Sequence, residues 1–153
     1  MKTLWRISSH ADLTGDGAKY ASARWHTKGN PIVYLAESPA GAMLERLVHL
    51  LDTEGQLPET YDLLEIAAPE TLGMKELMPA AGANWKNRSN LTRQIGDAWL
   101  GSRETALARV PSAIVPRTWN VLLNPIHPDA KQIKIESVMP ERFDIRLFRY
   151  GAP

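Results

Sequence analysis

A chain of 153 residues with 44% apolar and 23% charged side chains is sized for one soluble domain around one core, with no need of a covalent staple. It has no cysteine, which excludes disulfides and thiolate–metal sites and suits a reducing compartment. The formal charge of +1 is spread thinly, so no basic run or face marks a nucleic-acid binder, and no segment reaches the ~20 apolar residues of a membrane span.

Thr3–Ile7 reads as a short strand, with Leu4 and Trp5 able to pack. No signal-peptide apolar run accompanies it, because Arg6, Ser8, Ser9, His10 and Asp12 follow at once, and a cytoplasmic chain is expected. A polar loop from Ser8 to Ala23 carries Gly15 and Gly17, and aperiodic stretches of this length are often functional. After Arg24-Trp25-His26, the run Lys28-Gly29-Asn30-Pro31 signals a turn and Ile32–Ala36 a strand. The spacing then predicts a helix, with Ser38 as N-cap, Pro39 in the first position and an apolar stripe of Leu44, Leu47, Val48 and Leu51. Gly55 and Pro58 mark its end.

Tyr61–Ala67 reads as a further strand. A second amphipathic helix spans Asn90–Leu100, where Leu91, Ile95, Ala98 and Trp99 share a face and Gly101 is the expected stop. The last third turns to short strands punctuated by proline: Ala106–Val110, Ala113–Val115, Asn120–Leu123, Gln132–Val138 and Phe143–Arg149. The expectation is a single α+β domain with more strand than helix and small split sheets.

Four residues stand out as candidates for chemistry. Glu45 sits on the flank of the first helix's stripe, where a carboxylate can face a cleft; a boundary glutamate with its stem on apolar surface and its head in water is the more ordinary reading of that spacing. Arg24 offers a planar fork of donors to a phosphate or carboxylate, or else stacks on Trp25 at the surface. Tyr34 reads either as a site residue or as a strand tyrosine with a buried ring. Ser112 follows Pro111 and reads either as a site hydroxyl or as a turn former; no glycine-flanked nucleophile elbow surrounds it. The four histidines, His10, His26, His49 and His127, show no metal-ligand spacing, and Gly15-Asp16-Gly17 is too short for a dinucleotide or phosphate-loop fingerprint.

The order of these residues is more specific than any one of them. Arg24-Trp25 with Gly29, Val33-Tyr34, Glu45 in the next helix, Val110-Pro111-Ser112, Asn120, Leu122-Leu123-Asn124-Pro125 and His127-Pro128 together resemble the RES domain of bacterial toxin–antitoxin pairs. Phe143-Asp144-Ile145-Arg146-Leu147 is similar to that family's C-terminal strand, so the resemblance runs from about Leu4 to Leu147. One departure is Ala21-Ser22-Ala23, where many relatives are glycine-rich.

The resemblance implies a fold like that of ADP-ribosyltransferases, with NAD+ in a cleft between small sheets. It implies a toxin that depletes NAD+ by hydrolysis or phosphorolysis, with phosphate then a co-substrate, or that transfers ADP-ribose to a protein. NAD+ is substrate here, with no true cofactor and no metal. The implied partner is an antitoxin with an Xre-type helix-turn-helix domain, in a hetero-oligomeric complex. Glu45 then faces the ribose, Arg24 the pyrophosphate and Tyr34 the nicotinamide pocket; Ser112 makes an orienting hydrogen bond, and Arg6 and Asn120 complete the cleft. An inert module that only pairs with its antitoxin is the remaining alternative.

Overall fold

The computed structural model describes residues 1–51, 58–80 and 84–148. Among these residues seven strands form one mixed sheet: β1 (Lys2–Ser8), β2 (Val33–Ala36), β3 (Thr60–Ala68), β4 (Met74–Glu76), β5 (Leu107–Pro111), β6 (Trp119–Leu123) and β7 (Lys134–Arg142). Their order is β4-β5-β6-β2-β1-β3-β7, antiparallel except for the β4–β5 pair. Among the described residues two α-helices accompany it, α1 (Pro39–Leu51) and α2 (Ser89–Ser102). The expected split exists as a seam: β1 and β2 meet through the single pair Trp5–Ala36, whereas β1 runs against β3 over its whole length.

Alternation along the strands sorts the core into two layers. Val33 and Leu35 of β2, Leu107 of β5, and Val121 and Leu123 of β6 pack with Leu4, Leu64 and Ile66 on one face. Ala108, Val110 and Leu122 face the other way, onto Trp99 and Leu100 of α2 and onto Trp25. Tyr34 packs against that second cluster, one register step from its neighbours on β2.

Helix α1 begins where the sequence places it. The Ser38 hydroxyl accepts from the Gly41 amide at 3.0 Å, which satisfies one of the orphan donors of the first turn. The apolar stripe, however, does not cover the core. Leu44 and Leu47 are only half-buried, Val48 is 38% exposed, and none of the three joins either cluster. The face turned toward the larger chamber carries Ala42, Glu45, Arg46 and Leu50, at i, i+3, i+4 and i+8, while His49 stands exposed at the chamber's rim, as its position further round the helix predicts. Arg46, which position alone assigns to solvent, is half-buried on that face.

Three further expectations are corrected. Ala113–Val115 is not a strand: the Ser112 hydroxyl accepts from the amides of Ile114 and Val115, at 3.1 and 3.3 Å, and bends the chain there. Gly101 does not stop α2, which continues to Ser102 and closes on Arg103 with φ +50°, the Ser102 hydroxyl bonding back to the Trp99 carbonyl. Residues 145–148 form a turn of 3-10 helix instead of a strand, since the Asp144 carboxylate accepts from the Arg146 amide and side chain. Gly55 and Arg149 lie outside the described residues, and the short parallel β4 has no sequence signal that distinguishes it from a loop.

Candidate active site

The segment between the Ser8–Ala23 loop and β2 lies as an arm across the second core layer, and both flanks clamp it. From α2, the Thr92 hydroxyl donates to the Arg24 carbonyl at 2.6 Å and Arg93 Nε to the Ala23 carbonyl at 2.8 Å. Asp97 accepts from the Thr27 amide, the Thr27 hydroxyl and Asn30 Nδ2. Burial works against the Asp97 charge, but these hydrogen bonds outweigh it and hold the carboxyl below its usual range. Gly96 allows the closest approach: a Cβ there would lie 1.8 Å from the Trp25 carbonyl oxygen, so the helix backbone and the arm are in direct contact.

On the sheet side, Tyr34 and His26 lock the arm. The Tyr34 hydroxyl accepts from the Trp25 amide at 3.1 Å and lies 2.8 Å from His26 Nδ1, while His26 Nε2 lies 2.8 Å from the Ala21 carbonyl. A carbonyl can only accept, so Nε2 carries the proton and Nδ1 accepts from the tyrosine. His26 is buried, and burial pushes the Tyr34 phenol well above its ordinary range. The hydroxyl is thus fully engaged within the protein, and the ring is what Tyr34 offers to a ligand.

Beside the arm, two chambers of about 320 and 620 Å³ share a wall made by Ala23, Tyr34, Glu45, His49 and Asn120. Glu45 reaches them from α1 and Asn120 from β6. Asn120 Nδ2 donates to Glu45 Oε1 at 2.6 Å, and the Ser112 hydroxyl donates to the same oxygen at 3.1 Å. Among the described residues nothing hydrogen-bonds to Oε2, so one carboxylate oxygen is anchored and the other is available. Ser112 is buried, and its oxygen already accepts from two amides, which makes it an anchor for Glu45 and a poor nucleophile.

The smaller chamber has a cationic side. Arg24 and Arg93 both line it, with Ser89 at the start of α2. One donor of each guanidinium is fixed, Arg24 Nη1 on the Lys86 carbonyl at 2.8 Å and Arg93 Nε on the arm, which leaves the remaining donors for a ligand. The Arg24 guanidinium also lies 5.8 Å from the centre of the Trp85 ring, a cation–π contact. Arg6 lines the larger chamber from β1 and donates to the Asp12 carbonyl at 2.5 Å. All six residues singled out from the sequence therefore belong to one neighbourhood: Glu45, Ser112 and Asn120 touch, Tyr34 and Arg24 wall the smaller chamber, and Arg6 stands across Glu45 from them. Among the described residues, no group of three or more His, Asp or Glu side chains is arranged to hold a metal ion.

This arrangement has relatives. The RES domain family profile matches residues 3–146. The chain belongs to the RES-domain toxin family. "Toxin Res" of Pseudomonas putida is 46% identical over 147 residues, covering 95% of this chain and 99% of its own length. The "Prs ADP-ribosylating toxin" of a Sphingobium species is 40% identical, covering 96% of this chain and 97% of its own. A chain of the Mycobacterium tuberculosis MbcT-MbcA toxin–antitoxin complex superposes with a TM-score of 0.72 over 92% of this chain and 84% of that one, at 19% identity, and so shares the fold. The RES match runs from the second residue of β1 into the 3-10 turn after β7, and takes in every residue that lines the two chambers.

Three members of the site escape sequence reading. His26 follows the Arg24-Trp25 pair, but a buried histidine with two specific partners is indistinguishable in sequence from an exposed one. Arg93 and Asp97, four apart on one face of α2, are a spacing that carries a signal: they point the same way, toward the arm.

Proposed function

We propose that this RES-domain chain is the toxin of a toxin–antitoxin pair and that it breaks the nicotinamide–ribose bond of NAD+, passing ADP-ribose to water or to phosphate. The observation that carries this reading is the Glu45 carboxylate, with Oε1 fixed by Asn120 and Ser112 and Oε2 free of protein partners, on the wall common to two chambers. A group held rigidly by one oxygen while it presents the other is preorganised for a developing positive charge.

As the bond to nicotinamide lengthens, positive charge spreads over the ribose carbon and its ring oxygen. The bond's electron pair leaves with nicotinamide, which departs neutral. Glu45 Oε2 orients the ribose hydroxyls and favours the cation by its charge. The acceptor then adds to the ribose carbon: water gives ADP-ribose and a released proton, and phosphate gives the ADP-ribose phosphate ester. Arg24, joined by Arg93, holds the pyrophosphate through charge-assisted hydrogen bonds, and the Tyr34 ring lines the nicotinamide side. Asn120 and Ser112 act through Glu45. The fit of an NAD+ substrate is supported by two fixed guanidinium groups and one available carboxylate in a single connected cleft.

The toxin role is supported by the Pseudomonas and Sphingobium relatives, each matched along nearly its full length. An Xre-type antitoxin partner and a cytoplasmic location belong to the same proposal and rest on the resemblance to the RES family. The name of the Sphingobium relative favours a second reading, in which the acceptor is a protein side chain. A timed assay with purified protein decides among them, with and without phosphate, reading products by mass. Nicotinamide release that requires phosphate means phosphorolysis, and release without it means hydrolysis. Added ADP-ribose mass on a host protein, with bulk NAD+ intact, means transfer. No release and no added mass from folded, antitoxin-free protein would sink the enzymatic reading.

A further inference from the structure

His49 stands at the rim of both chambers, on the wall that Glu45 and Asn120 also form, and no step of the proposed reaction uses it. It follows Glu45 by four positions on α1, so the two side chains leave the helix one turn apart, with Cβ atoms roughly 5–6 Å from each other. The rings of His10, His26 and His127 each have a hydrogen-bond partner, whereas among the described residues the His49 ring has none. The ring is also exposed, so a proton placed on it can pass to solvent.

Cleavage with water as acceptor leaves a proton to be placed. A lone pair of the water oxygen forms the new bond to the ribose carbon, while the electron pair of the broken bond leaves with nicotinamide. One O–H bond then gives up its proton, and its electrons stay on the oxygen. A phosphate dianion or an azide ion attacks through an atom that carries no proton and requires no base. The titratable groups on the chamber walls can be taken in turn. Glu45 must keep its charge for the ribose cation. The Tyr34 hydroxyl is engaged with His26 and the Trp25 amide, and the other nitrogen of His26 with the Ala21 carbonyl. Arg6, Arg24, Arg46 and Arg93 are guanidinium groups, which hold their protons. His49 remains, and an imidazole is the side chain that takes and returns a proton nearest neutral pH. We infer that His49 is the base that receives the proton of a neutral acceptor beside Glu45, and that it thereby raises the reactivity of water relative to anionic acceptors. This role rests on the NAD+ reading and adds to it the group that sets the choice of acceptor.

The test times nicotinamide release from NAD+ by the native chain, His49→Ala and His49→Gln at equal ionic strength in sodium chloride, sodium azide or sodium phosphate, with products read by mass. In chloride, where water is the acceptor, both variants are expected to be slower than the native chain by roughly tenfold or more. Azide restores release in both, with the azide adduct of ADP-ribose as product, because this acceptor has no proton to lose. Glutamine keeps a hydrogen-bonding side chain but takes no proton, so matching defects in the two variants mark proton transfer and not lost packing. Either variant as fast as the native chain in chloride overturns the inference. Variants that stay equally slow in azide also overturn it, and assign His49 to packing or to NAD+ binding. A native chain active with phosphate alone requires no base, which removes His49 and leaves the NAD+ reading intact. A native chain that releases no nicotinamide in any of the three salts takes down the NAD+ reading and this inference together.

Discussion

Asn120 and Glu45, 75 positions apart in the chain, are joined by a 2.6 Å hydrogen bond from the amide nitrogen to Oε1. The bond ties α1 to the centre of the sheet, since Asn120 pairs with Ala36 on β2 and with Val110 on β5. It fixes one oxygen of Glu45 and sets the direction of the other. Glu45→Gln keeps the shape and removes the charge, so NAD+ turnover is expected to fall by ~10²–10³ while the melting temperature changes little. Steady-state kinetics and a thermal melt on the same preparation check this; a variant that unfolds instead assigns Glu45 a structural role.

Arg24→Lys separates charge from geometry. Lysine keeps the positive charge but gives up the fork and the parallel contacts with Lys86 and Trp85. The KM for NAD+ is expected to rise by roughly tenfold or more, with kcat affected less. Unchanged affinity would remove Arg24 from the pyrophosphate role.

The Tyr34 hydroxyl serves two buried partners, the Trp25 amide and His26 Nδ1. Tyr34→Phe leaves both without a partner, and a loss of about 1–3 kcal/mol is expected from the urea midpoint. The folded-state phenol is held above the ordinary range near ~10, so the proton is bound more tightly in the folded chain. Stability is therefore expected to be steady below that range and to fall as pH rises through it, with a shallower fall in Tyr34→Phe. Ultraviolet titration should show one of the four tyrosines failing to ionise until the chain unfolds.

Asp97 gives the opposite limb. Its carboxyl is held below the usual range, so its contribution is present above the ordinary carboxylate value of ~4 and is lost as pH falls through the folded-state value. Asp97→Ala should melt lower than the native chain at neutral pH, and the two melting temperatures should converge in acid. A constant gap at all pH values would show that packing, and not the charge, holds the Thr27–Asn30 turn.

Gly96→Ala tests the contact between α2 and the arm. The added Cβ would meet the Trp25 carbonyl at 1.8 Å, and backbone does not yield as a side-chain tip does. A loss of about 1–3 kcal/mol is expected by denaturant titration, accompanied by weaker NAD+ binding because the arm carries Arg24. Loss of stability with unchanged binding would uncouple the arm from Arg24's position.

Much of the site was legible because the family's residues come in order along the chain. Arg24-Trp25, the helical Glu45 and Val110-Pro111-Ser112 are each ambiguous alone, and Glu45 in particular reads as a boundary residue more readily than as a cleft carboxylate. Their succession breaks the tie. What was not legible was the work each does: the Ser112 oxygen is occupied by Ile114 and Val115, and the Tyr34 hydroxyl by Trp25 and His26. Such assignments depend on which groups meet after folding.

The sequence by itself determined the α+β class, the start of α1 at Ser38, both helices and most strands, and six of the residues that gather around the cleft. Propensity, capping and periodicity act over a few neighbours and are written locally. The tertiary structure decided that α1 turns Ala42, Glu45, Arg46 and Leu50 toward the larger chamber while Leu44 and Leu47 are only half-buried and Val48 is exposed. It decided that the chain bends after Ser112, and that Arg6 and Arg46 share a chamber. Those outcomes rest on contacts between distant segments, where packing and hydrogen bonding outweigh the weak preference of any single residue.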